Sequence, residues 1–80
     1  MLDAFALSEI RTRQRVTQTE VAAALGVSQV NVSRIEHEED VSLSTLRDYI
    51  AALGGYLEIN AVFPDGKVTL LPTENQRSSA

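Results

Sequence analysis

The stretch TQTEVAAALGVSQVNVSRIE, Thr17 to Glu36, decides how the rest of the chain is read. Thr17 is an N-cap residue followed three positions later by Glu20, the capping-box pattern in which each side chain bonds the other's backbone N–H. Val21, Ala22 and Leu25 then share one helical face. Gly26 stands where that helix must stop, since glycine enters the left-handed backbone region at little cost. Ser28 offers a second N-cap, and Val32 and Ile35 continue at helical spacing to about His37. The two helices are joined by a tight turn around Gly26-Val27, which is the helix-turn-helix arrangement.

Outward from this core, residues 3–14 suit a helix with Phe5, Leu7 and Ile10 apolar and Arg11 and Arg13 following. The connector HEED is polar. Ser42 caps a fourth helix in which Leu43, Leu46, Ile50 and Leu53 form an inward stripe, and Gly54-Gly55 ends it. The period then changes. YLEINAVF is rich in β-branched and aromatic residues, PDG signals a turn, and KVTLL resumes the apolar pattern. The expected fold is mainly α: residues 1–55 form a four-helix domain. A β-hairpin follows over 56–72, with strands near 56–63 and 67–71, and residues 73–80 form a disordered tail. A lone hairpin is marginal in water, so it must either pair with the hairpin of a second subunit or lie on the helices.

Eighty residues with a formal charge of -4 and no cysteine form one small domain without disulfides or thiolate metal sites. His37 has no partner ligand at a suitable spacing, so no metal is expected. No apolar run reaches membrane-spanning length and no leader pattern opens the chain, which predicts a cytoplasmic protein. No nucleophile–base pair or phosphate-cradling loop points to an enzyme, and no cofactor is expected. An acidic balance argues against nucleic acid, but the charge is uneven. Ser8 to Glu36 carries a net of +1, whereas His37 to Asn60 carries -4. The first half can face phosphate; the second would be repelled.

The third helix carries side chains suited to base edges. Gln29 and Asn31 can bond adenine bidentately, Ser28 can bond several bases, Val30 can touch a thymine methyl, and Arg34 can reach a guanine edge or a phosphate. The alternative is that Ser28 is an N-cap only and the others form a solvated face. Arg13, Arg15 and, more weakly, Ser33 are candidate phosphate contacts. So little charge in one copy implies a two-fold dimer on a palindromic double-stranded operator. Tyr56, Leu57, Ile59, Val62 and Phe63 of the hairpin are the candidate interface; covering the monomer's own core is the alternative.

These residues resemble the helix-turn-helix of the phage-repressor and Cro-like (XRE) family, with a lambda-repressor-like fold. The likeness rests on Thr17-Gln18, Glu20, Ala22, Gly26-Val27, Ser28-Gln29, Val32-Ser33 and Ile35-Glu36, and SLSTLRDYIAALGG extends it. It implies that Gln18 and its helix N-terminus contact a phosphate, and that Arg11 forms a structural ion pair with Glu36. A hairpin directly after LGG is similar to small antitoxins of the HigA or HipB kind, whose C-terminal strands form an intersubunit sheet. That likeness implies a repressor that autoregulates its operon and neutralises a cognate toxin, such as an RNA-cleaving or kinase toxin. A stand-alone phage- or plasmid-type repressor, or a protein-interaction module that holds a partner inactive, are the alternatives. The acidic run Glu38, Glu39, Asp40 and Asp48 would suit a basic partner.

Overall fold

The computed structural model describes residues 4–72; the expected disordered tail, 73–80, and the side chain of Phe5 lie outside what is described. In chain order the elements are α1 (Ala4–Arg13), α2 (Gln18–Leu25), α3 (Gln29–Glu36), α4 (Leu43–Ala52), β1 (Ile59–Phe63) and β2 (Gly66–Leu71).

The helix boundaries follow from local chemistry. The Thr17 hydroxyl accepts the Glu20 N–H at 3.1 Å, and the Glu20 carboxylate accepts the Thr17 N–H at 2.8 Å. Ser28 and Ser42 cap α3 and α4 through the N–H groups of Asn31 and Thr45. Each such cap stabilises its helix by about 1 kcal/mol. Gly26 closes α2 at φ 71, in the left-handed region where a Cβ would be strained. The end of α1 uses the same left-handed geometry without a glycine. Arg15 sits at φ 60, its N–H bonding Thr12 O and the next N–H, from Val16, bonding Arg11 O. Helix α3 stops at Glu36 with His37 as its C-cap, and the His37 ring lies 2.7 Å from the Ser33 carbonyl.

Leu7, Val21, Ala22, Val32, Ile35 and Tyr49 are the buried apolar core, ringed by Val16, Leu25, Val41, Leu46, Ile50, Ala52 and Leu53. Two sequence expectations fail here. Leu43 was placed in the inward stripe, yet it is 51% exposed in the first turn of α4, and Tyr49 is fully buried instead. The stripe runs Leu46, Tyr49, Ile50, Leu53, which the i, i+3, i+7 spacing from Leu46 permits equally well. Val27, expected to hold α3 in place, is 36% exposed at the turn.

The strands are antiparallel and shorter than expected at the front: Tyr56 to Glu58 precede β1, and Gly66 rather than Lys67 opens β2. Pairing runs Phe63↔Gly66, Val62↔Lys67, Ala61↔Val68 and Asn60↔Thr69, then slips so that Ile59 meets Leu71 and Leu70 bulges. Directly opposed residues share a face. One face therefore carries Asn60, Val62, Lys67 and Thr69, and the Thr69 hydroxyl bonds Asn60 Oδ1 at 2.8 Å. The other carries Ile59, Ala61, Phe63, Val68 and Leu71, with Leu70 at the bulge. The hairpin backbone approaches none of the described helices, and no strand residue joins the helical core. Phe63, Val68 and Leu70 are left more than half exposed.

Candidate nucleic-acid interface

The site is built on a buried carboxylate. Glu36, the last residue of α3, is 4% exposed, and one side chain from each other helix reaches it. Arg11 of α1 donates from Nε to Oε2 at 2.6 Å and from Nη2 to Oε1 at 3.4 Å. Gln18 of α2 donates from Nε2 to Oε1 at 3.0 Å. The Tyr49 hydroxyl of α4 donates to Oε2 at 2.5 Å, with the Leu7 carbonyl at 3.2 Å as a longer branch. Arg11 also donates from Nη1 to the Val16 carbonyl at 2.9 Å. Burial by itself would push the Glu36 carboxyl up, but the hydrogen bonds from Arg11, Tyr49 and Gln18 outweigh it and hold the group below its ordinary range. The bond to Glu36 raises the Arg11 guanidinium, and burial, then the same carboxylate, raises the Tyr49 phenol. Every described buried side-chain polar atom has a partner. The carboxylate is fully compensated, and α3 is fixed in position against the other three helices.

One arm of this network leaves the core. Gln18 Oε1 accepts from Gln29 Nε2 at 3.3 Å, so the first side chain of α3 is oriented from the buried carboxylate through Gln18. Gln18 thus faces both Glu36 and Gln29, rather than standing free at the start of α2. Ser28 is occupied as a cap, with its hydroxyl on the Asn31 N–H. Val30 is 78% exposed at the first turn of α3, and Gln29 beside it is exposed. Ser33 is half-buried, and its backbone carbonyl meets the His37 ring.

Asn31 and Arg34 are brought together. Arg34 donates to Asn31 Oδ1 from Nε at 3.1 Å and from Nη2 at 2.5 Å, and from Nη1 to Glu38 Oε2 at 2.6 Å. The carbonyl oxygen that Asn31 would need for a bidentate adenine contact is therefore occupied, and its amide N–H groups are what it can offer outward. Sequence reasoning missed Tyr49 and took Glu38 only as part of an acidic run, without its pairing to Arg34. The i, i+4 spacing of Arg34 and Glu38 was the available signal for that pairing.

Beside α3 runs an open groove of about 520 Å³ between the end of α1 and the start of α2, lined by Thr12, Arg15, Thr17, Gln18, Thr19 and Gln29 among others. Free helix N–H groups, hydroxyls and a guanidinium make this groove attractive to an anion. Arg15 is exposed at its α1 rim, and Arg13, also exposed, is not among the lining residues. Among the described residues no set of His, Cys, Asp and Glu could hold a metal, and no helix is long and apolar enough to cross a membrane.

A helix-turn-helix family model matches residues 7–59, the whole described helical body from Leu7 onward. Among curated proteins the chain is 42% identical over 69 residues to a Mycobacterium tuberculosis (strain ATCC 25618 / H37Rv) protein named antitoxin HigA2, covering 84% of this chain and 68% of that one. The chain belongs to the HigA helix-turn-helix family. A second relative, named antitoxin HigA3 from the same strain, is 45% identical over 67 residues, 80% of this chain and 62% of its own. The chain thus spans about two thirds of the length of these curated HigA relatives. Solved HigA structures superpose closely. One, a HigA antitoxin described as bending DNA through a unique dimerization, has a TM-score of 0.77 at 44% identity over 81% of this chain and 90% of its own. Another, the DNA-bound antitoxin HigA3, has a TM-score of 0.76 at 43% identity over 84% of this chain and 90% of its own.

Proposed function

We propose that the chain is the DNA-binding antitoxin of a toxin–antitoxin operon, acting in the cytoplasm as a homodimeric repressor of its own promoter. The observation that carries this reading is the outer face of α3. Gln29, Val30 and Arg34 stand exposed on a helix held at its far end by a buried carboxylate bonded to all three other helices. Such rigidity is what base reading needs, because a reading helix must present its side chains in fixed register to the groove edges. In this reading Ser28, Gln29, Val30, Asn31 and Arg34 meet the bases. Gln18, Arg13, Arg15 and Ser33 lie along the phosphates, and the groove at the start of α2 takes one phosphate. Arg15 adds an argument of its own: a non-glycine residue at φ 60 is strained, and local strain concentrates where a side chain is needed for function.

Dimerisation belongs to the hairpin. Its apolar face, with Ile59, Phe63, Val68 and Leu71, lies on strands whose backbone approaches none of the described helices, and two copies placed face to face or edge to edge would bury it. Tyr56 and Leu57 precede β1, whereas Val62 lies on the opposite face, paired with Lys67. The toxin partner is a protein of basic character, docked on the acidic side that runs from Glu38 to Asp48.

Retardation of the operon's own promoter DNA at rising salt tests the reading. A dimer placing Arg13 and Arg15 of each subunit on phosphates should show a log–log salt slope of roughly -4. Arg34→Ala should lower operator affinity by about tenfold or more; binding equal to wild type would remove α3 as the reading helix. Phe63→Glu should give a monomer by sedimentation, with operator binding lost alongside.

A further inference from the structure

Arg34 is the one arginine on the outer face of α3, and its guanidinium is clasped from two sides. Asn31 Oδ1 accepts Nε and Nη2, the side edge of the fork, and Glu38 Oε2 accepts Nη1. A guanidinium has five N–H groups, so two remain, enough for the two acceptors on a guanine edge. The surroundings are acidic. Asn31, Arg34, Glu38, Asp40 and Asp48 line one groove of about 490 Å³ between α3 and the start of α4. A phosphate drawn toward Arg34 on this side would meet three carboxylates, whereas a base edge carries no net charge and would meet no such penalty.

We propose that Glu38 is a specificity-determining residue: with Asn31 it holds Arg34 as a pre-aimed fork for a guanine edge and prevents that arginine from serving as a general phosphate contact. The inference rests on the reading of α3 as the DNA-reading helix and adds a function to a residue outside that helix. Glu38 then lowers non-specific affinity more than operator affinity, so its charge contributes to discrimination rather than to binding strength.

The test compares wild type, Glu38→Gln, Arg34→Ala and the double variant on two duplexes of equal length, the operon's own promoter and a random sequence. Glu38→Gln should bind random duplex about tenfold tighter and the promoter nearly unchanged, so that the preference ratio falls about tenfold. Its salt slope on random DNA should steepen by about one per subunit. In the Arg34→Ala background the same change should leave the ratio alone, because the arginine it acts through is gone. In the free protein, nitrogen relaxation at Arg34 Nε should report an ordered side chain in wild type and a mobile one in Glu38→Gln. An equal gain on both duplexes would reduce Glu38 to general repulsion and overturn the proposal, as would an unchanged ratio or a ratio that falls just as far without Arg34. Wild type without any promoter preference would be a different failure, that of α3 as a reading helix, and the role of Glu38 would fall with it.

Discussion

The two faces of α3 each carry an arginine–glutamate pair with an N–O distance of 2.6 Å, and the two do different work. On the inner face, the side chains of Arg11 and Glu36 are 15% and 2% exposed, and the carboxylate has further donors from Gln18 and Tyr49. On the outer face, Arg34 and Glu38 are 59% and 38% exposed. Distance alone would rank them equal. Burial separates them, because water screens the outer pair and leaves the inner one to the protein's own donors. The inner pair fixes where the helix lies, and the outer pair aims what it presents.

The sharpest way to break this contrast is at Glu36. Glu36→Ala should cost about 3–5 kcal/mol in denaturant unfolding, because the mostly buried Arg11 guanidinium would lose its counter-ion and the Tyr49 hydroxyl its shorter bond. In a domain this small that change should leave much of the chain unfolded near physiological temperature. The pH dependence should carry the same signature. Since the folded-state pKa of Glu36 lies below its unfolded value, its contribution is present above pH about 4.3 and is lost as pH falls through the lower folded value. A Glu36→Gln variant should lack that segment of the acid limb. Next in size, Tyr49→Phe should cost about 1.5–3 kcal/mol, the range for a hydrogen bond to a charged acceptor, with the fold retained.

Smaller effects sharpen the outer side. Arg15→Gly removes left-handed strain but loosens the unfolded chain, so stability should move by no more than about 1 kcal/mol while promoter binding weakens. Glu38→Ala should change stability by about 0.5 kcal/mol or less, as exposed i, i+4 pairs do. A loss at Glu38 comparable with that at Glu36 would erase the distinction between the two faces.

Much of this was legible in the residues. The caps at Thr17, Ser28 and Ser42 and the stop at Gly26 are local signals, and local bonds realise each of them. The hairpin followed from composition and PDG, though its first strand begins three residues later than the apolar run suggested, because Tyr56 to Glu58 find no cross-strand partner. The linkage of Arg11 with Glu36, 25 positions apart, has no local signal and came from family resemblance alone. Tyr49 was overlooked because a leucine stripe explained the helix without it, and a phenol's partner on another helix cannot be read from spacing. The pairing of Asn31 with Arg34 was within reach at i, i+3, but side chains assigned separately to bases hide their bonds to each other.

The meeting of side chains from all four helices on the Glu36 carboxylate also bears on how the domain comes apart. An element joined to the rest through one shared polar centre cannot open by itself without stranding the others, so α3 has no cheap partial opening of its own. Its backbone amides should exchange with solvent only through unfolding of the whole helical body. Helix α3, although it lies at the surface, should therefore be among the slowest-exchanging parts of the molecule.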